Sequence, residues 1–219
     1  MARETCYRCN RPRAICLCPS APPMATRTRI VLLMHPKEHR RERCTTGRLT
    51  CLNLSNSEIV TGVEFDGHPR VRALVDDPTN RPMLLYPGDG ALNLSDGFAP
   101  APAPVPRRLV VFIIDGTWVC SRTIMRRNPG LQRLPRLMFT PREKSRFVIK
   151  RQPHEWCLST LEAAHGLLLA LEAAGLDEYP DKARLPAVFD AMQQYQIERA
   201  AANARPRFRR PAGAGRSAG

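Results

Sequence analysis

Apolar positions along the chain fall into short unbroken runs, separated by longer stretches in which they recur every three or four residues. The first run, Arg29-Ile30-Val31-Leu32-Leu33-Met34, reads as a buried strand that ends in a turn at His35-Pro36. Further strands are predicted at Ile59–Glu64, Met83–Tyr86 and Leu109–Ile114, with weaker ones at Leu137–Thr140 and Phe147–Lys150. The run LVVFII shows no alternation, so its strand is predicted to be central and covered on both faces. A helix over residues 39–55 would link the first two strands as a right-handed crossover. Ser159-Thr160-Leu161-Glu162 has the form of a capping box, opening a helix with Leu161, Ala164, Leu168 and Leu171 on one face and Gly175 as its stop. A last helix is predicted over Pro186–Ala202, with Val188, Met192 and Tyr195 turned inward. Strands alternating with helices make this an α/β layer fold.

Composition divides the chain into three parts. Residues 1–26 carry a cysteine cluster and end in Pro19-Ser20-Ala21-Pro22-Pro23. Residues 27–202 hold the patterned body, and residues 203–219, rich in Arg, Pro, Gly and Ala, are expected to be disordered. Within the body, residues 99–106 alternate Ala or Val with Pro and read as an extended surface spacer before the central strand. No internal repeat is found. The whole chain, 219 residues, suffices for one full core.

Charge narrows the partners. Against 20 Asp+Glu stand 34 Lys+Arg, 30 of them Arg, for a net charge of +14. Such a field draws in a polyanion, and the planar guanidinium fork pairs with phosphate and stacks on bases. No Lys/Arg-rich amphipathic helix with exposed aromatics points to a membrane surface instead. Nucleic acid is the expected partner. No apolar run approaches the ~20 residues needed to cross a bilayer, and the polar start, Met1 to Asn10, has no signal-peptide core. A cytoplasmic protein is expected.

The sharpest local signal is Cys6-x2-Cys9-x6-Cys16-x-Cys18. Four thiolates can close a tetrahedron around Zn²⁺, a structural shell with no position left for catalysis. Iron–sulfur, or four reduced thiols, would suit the same spacing. Arg8, Arg11 and Arg13 would offset the charge of a tetrathiolate centre.

Four short motifs follow the predicted strands: His35-Pro36-Lys37-Glu38 and then Thr46-Gly47-Arg48, Tyr86-Pro87-Gly88, and Asp115-Gly116-Thr117-Trp118. Each alone also reads as turn chemistry, His35 included. Together they lie at the carboxyl ends of predicted parallel strands, where open α/β sheets bind ligands. The N-terminus of the helix opening at Ser159 adds positive partial charge suited to a carboxylate.

The ordered set, from the cysteine cluster through HPKE, TTGR, YPG, DGTW and STLEA, resembles the DTW-domain family over residues 4–180. The resemblance implies a tRNA-uridine aminocarboxypropyltransferase using S-adenosylmethionine as donor, and a SPOUT-like knotted parallel sheet flanked by helices. It implies that Leu85, Pro87, Gly88, Ile114, Asp115, Ser159 and Thr160 line the donor pocket. Thr45-Thr46-Gly47-Arg48 stands where the family commonly has Asn-Thr-Gly-Arg, and Val-Cys-Ser-Arg follows DGTW where it often has Ala followed by two cations.

The acceptor, a uracil ring nitrogen, must lose a proton, and Asp115 is the candidate general base. Trp118 could stack on the base or on adenine, or serve as a core aromatic. Arg48 and His35, with Arg126 and Arg127, are candidate clamps for the donor carboxylate or RNA phosphates; Arg133 and Arg136 continue that basic segment. Two rival functions use the same residues: a methyltransferase of the knotted class, and a zinc-bearing RNA-binding module without catalysis. Oligomeric state is left open.

Overall fold

The unbroken runs RIVLLM and LVVFII lie side by side at the heart of a six-stranded sheet in which every paired neighbour is parallel. The computed structural model describes residues 4–9, 11–13, 16–18, 22–41, 46–97, 107–149 and 157–203. A small antiparallel hairpin of β1 (Thr5–Cys6) and β2 (Arg11–Pro12) comes first. Then follow β3 (Arg29–Met34), α1 (Pro36–Arg41), α2 (Thr46–Asn53), β4 (Ser57–Thr61), α3 (Pro69–Val75), β5 (Asn80–Leu85) and β6 (Leu92–Asn93). The second half comprises β7 (Arg108–Asp115), α4 (Trp118–Arg127), α5 (Pro129–Arg133), β8 (Arg136–Met138), α6 (Thr160–Ala173) and α7 (Arg184–Asn203). Across the sheet the order is β4-β3-β7-β5-β8-β6.

Successive side chains of a strand point to opposite faces, and both faces here are covered. Ile30 and Leu32 of β3, with Val111 and Ile113 of β7, pack with α2, α6 and α7 on one side. Val31, Leu33, Val110 and Phe112 pack on the other side with Val71 and Leu74 of α3, Ile124 and Met125 of α4 and Leu131 of α5. This two-sided burial explains why neither run alternates. It also fixes a direction: Asp115 shares the parity of Val111 and Ile113, so it points toward α2 and α6.

Several predicted elements shift or change. The helix read over 39–55 is two helices, α1 and α2, with residues 42–45 outside the described residues. The second strand is Ser57–Thr61 rather than Ile59–Glu64, and the fifth is Arg136–Met138. Phe147–Lys150 is not a strand in its described part, residues 147–149. Its amides are satisfied by side chains instead of a ladder: Phe147 N–H donates to Ser145 Oγ at 3.2 Å and Val148 N–H to Gln193 Oε1 at 2.8 Å. In the last helix Met192 is buried and Val188 packs against the core, but Phe189 is the buried aromatic, while Tyr195 is half-buried. The predicted spacer at 99–106 and all but Asn203 of the predicted tail lie outside the described residues.

The capping box forms as read. Ser159 Oγ accepts from Glu162 N–H at 3.3 Å, and Glu162 Oε2 accepts from Ser159 N–H at 2.8 Å. Leu161, Ala164, Leu168 and Leu171 are all buried, and Gly175 takes a left-handed φ of +70° just past the helix end. Among the described residues no helix is long and apolar enough to cross a membrane.

Candidate active site

The strand ends converge. Met34, Leu85 and Asp115 close β3, β5 and β7, three neighbours in the sheet, and Asp115 pairs in register with Met34. Chain order reverses here: β3 leads outward to β4, whereas β5 lies on the far side of β7. Crevices for ligands form at such switch points.

Asp115 is 4% exposed. Thr160, the first residue of α6, donates its hydroxyl to Asp115 Oδ1 at 2.6 Å. On the α2 side Gly47 lies so close that a Cβ there would fall 2.8 Å from Asp115 Cγ. Only glycine permits that approach. Arg48 follows on α2, half-buried, and shares this neighbourhood. The Cys51 thiol registers both charges. Burial pushes it up to about 11, the Asp115 charge raises it and the Arg48 charge lowers it.

Asp115 sits in the wall of a cavity of about 1260 Å³. Sequence candidates Leu85, Pro87, Ile114, Asp115, Trp118, Ser159 and Thr160 all line it. The Trp118 ring meets that of Tyr86 at 6.4 Å between centroids, tilted by 59°, and the Arg136 guanidinium lies 6.0 Å from the Tyr86 centroid. Gly88 is not in the lining; its φ of +137° shapes the turn after β5 and brings its Cα beside Arg136, whose Nη1 would be 3.4 Å from an added Cβ.

The remaining candidates stand apart from the lining. His35 is a turn residue: its Nδ1 accepts from Lys37 N–H at 3.1 Å, and its own N–H donates to the Asp115 carbonyl at 3.0 Å. Burial, then the Lys37 charge, lowers its pKa, against the Glu38 charge. Arg126 and Arg127 are exposed in the last turn of α4, and Arg127 meets Glu64 at 3.6 Å.

Other lining residues were not among the candidates. Arg122 stands one helical turn beyond Trp118, a spacing that placed it on the same side of any helix begun at DGTW. Glu38, within the HPKE motif, supplies a second carboxylate. Phe139, Phe147 and Ile149 come from segments read as strands that lie outside the sheet at these positions, and Met192 and Gln196 from α7. Phe139 is seated by Gly166, where a Cβ would strike the ring at 2.5 Å.

The family model for the DTW domain matches residues 3–197, which contain every one of these motifs. The chain belongs to the DTW-domain family. Among its relatives, "tRNA-uridine aminocarboxypropyltransferase 2" of Drosophila melanogaster is 34% identical over 178 residues, covering 78% of this chain and 68% of the fly protein. The Mus musculus protein of that name is also 34% identical, over 174 residues, 78% of this chain and 57% of its own length. "tRNA-uridine aminocarboxypropyltransferase A" of Arabidopsis thaliana is 28% identical over 202 residues, 79% of this chain and 74% of its own. This chain therefore spans little more than half of the mouse protein. No solved structure matches.

In this DTW-domain chain the cysteine cluster also comes together. The sulfurs of Cys6, Cys9, Cys16 and Cys18 all lie within 4.8 Å of one another, with Cys6–Cys18 and Cys9–Cys16 each at 3.7 Å. A tetrahedron with Zn–S bonds of ~2.3 Å has sulfur–sulfur edges of about 3.8 Å. The four thiols could hold a metal ion. Hydrogen bonds from the Cys9 and Arg8 amides lower the Cys6 thiol to about 6, whereas burial and the neighbouring thiols push the Cys18 thiol up, so metal binding there would have to displace a proton.

Proposed function

We propose that this DTW-domain protein transfers the 3-amino-3-carboxypropyl group of S-adenosylmethionine to N3 of a tRNA uridine, giving acp3U and methylthioadenosine, in the cytoplasm. The names of its relatives support the reaction. The observation that carries it for this chain is Asp115: a buried carboxylate, tied to Thr160, in the wall of a cavity large enough for a nucleoside donor and an RNA base together. Pockets for one drug-sized ligand hold about 300–1000 Å³.

The walls suit the donor chemically. Leu85, Ile114, Leu137 and Phe139 present apolar surface to a purine, and the N-terminus of the 14-residue α6 offers partial positive charge to a carboxylate. Glu38 supplies negative charge for a cationic sulfonium or ammonium. When bound, the donor supplies a γ-carbon activated by its sulfonium.

The chain's own residues do the rest. Asp115 accepts the N3 proton, and the nitrogen lone pair forms the new bond to the γ-carbon as the Cγ–S bond breaks and its electron pair leaves on the sulfur of methylthioadenosine. Thr160 holds the carboxylate in place through Oδ1. Trp118 and Tyr86 give the target base a face to stack on, and the apolar lining excludes the water that would otherwise compete. The four-cysteine cluster holds structural Zn²⁺ and braces the N-terminal hairpin.

Incubation with S-adenosylmethionine and unmodified tRNA, followed by mass analysis of nucleosides and by-product, tests the reading. Methylthioadenosine and acp3U in equal amounts are expected. S-adenosylhomocysteine would instead mean methyl transfer, and tRNA binding with no thermal shift from the donor would mean a binding module.

A further inference from the structure

Helix α4 leaves the site with one face unclaimed. Its inner face, Cys120, Ser121, Ile124 and Met125, is buried. On the outer face Val119 is 65% exposed, and Arg122 and Arg126 are exposed beside it. Trp118, Val119 and Arg122 belong to the cavity wall, and Arg122 is the only cation among the described residues that line it. Unlike Arg127, which meets Glu64, neither Arg122 nor Arg126 forms an ion pair with an acidic group among the described residues.

We infer that this face of α4, from Trp118 and Val119 through Arg122 to Arg126, is the track that carries the RNA strand next to the modified base. The inference rests on the transferase reading and adds the residues that hold the polynucleotide. Residues four apart on a helix are neighbours on one face, about 6 Å apart along the axis. The order is therefore an aromatic ring at the cavity, a bare aliphatic side chain beside it, and two guanidiniums in line leading away. Flat and apolar surfaces receive bases, while Arg receives phosphodiesters. An acidic protein partner would use the two charges but would have no need of a Trp and an exposed Val at a cavity that admits a base. A donor carboxylate would need one cation, inside the cavity, and would leave Arg126 unused.

The test uses the full chain, an unmodified tRNA transcript, and binding measured from about 50 to 200 mM salt. R122A and R126A are surface changes that leave the buried face of α4 intact. Each is expected to weaken tRNA binding by about threefold or more and to reduce the slope of log affinity against log salt by ~0.7–0.9, one lost phosphate contact. The double variant loses roughly the product of the two effects. R108A removes the same charge at the opposite end of β7 and is expected to leave the slope unchanged. The thermal shift given by S-adenosylmethionine is expected to be unchanged in all four. Slopes like that of the unaltered protein in both R122A and R126A would overturn the track. So would loss of the donor's thermal shift in R122A with tRNA affinity retained, which would make Arg122 a carboxylate holder. If the unaltered protein binds no tRNA at any salt, the transferase reading falls together with the track.

Discussion

Thr160 Oγ1 donates to Asp115 Oδ1 across 2.6 Å, joining the first residue of α6 to the last residue of β7. Both positions follow from local rules. Ser159 and Glu162 close a capping box that starts α6 at Thr160, and the strand's period of two aims Asp115 at that helix. The pair depends on neither residue alone.

Replacing Thr160 by Val keeps the shape and removes the donor. Transfer is expected to slow by about tenfold or more, equivalent to ~1.4 kcal/mol at the transition state, with donor binding retained. Thr160→Ser should restore most of the rate. Steady-state kinetics on the two variants measure this; a Val variant at full rate would make the hydrogen bond incidental.

Gly47 has no room for a methyl group because the Asp115 carboxylate occupies it. Gly47→Ala is expected to displace Asp115, to cost about 1–3 kcal/mol of stability through overpacking, and to abolish most activity. Gly67→Ala, in open space, should leave both unchanged. Thermal melts and turnover of the two variants side by side decide the matter.

Much of this geometry is legible in the sequence because it is local. The LVVFII run marks the central strand, the residue after it is Asp115, and STLE writes its own helix start. Less legible are features that depend on distant partners. Helix α3 is only seven residues long, begun by Pro69 and capped by His68, whose Nδ1 accepts from Arg70 N–H. Helix α4 begins inside the DGTW turn, where Thr117 caps it. Residues 147–149 resemble a strand because they are apolar, but they serve the cavity wall. They are held there by Gln193 and, through Ser145 and the Arg146 amide, by Glu162. Glu162 thus fastens a loop as well as a cap, which no spacing along the chain could disclose.

The four clustered sulfurs lead to a stoichiometry. Purified protein is expected to carry one zinc per chain by elemental analysis, and cobalt substitution should give the absorption of a tetrahedral thiolate site. Cys9→Ser should lose most of that metal. Iron, or no metal at all, would remove the structural-zinc reading.

Burial lowers the pKa of His165, whose Nδ1 lies 2.9 Å from the buried Tyr179 hydroxyl, and burial also lowers that of His35. A histidine whose folded pKa is below its ordinary value near 6.5 binds its proton more readily when unfolded. Stability from these two groups is thus fully present above that value and is lost as pH falls through the lower folded one. Melting temperature is expected to drop below about pH 6.5, and a His165→Leu variant should show a shallower drop. A profile flat through that range would contradict the assignment.

The most direct measurement is turnover by Asp115→Asn, which keeps the size and the Thr160 hydrogen bond but cannot take a proton. Donor binding and folding are expected to match those of the unaltered protein while formation of acp3U and methylthioadenosine falls to background. An Asn variant that modifies tRNA at the normal rate would show that the proton leaves uracil by another route and that this carboxylate is not the base.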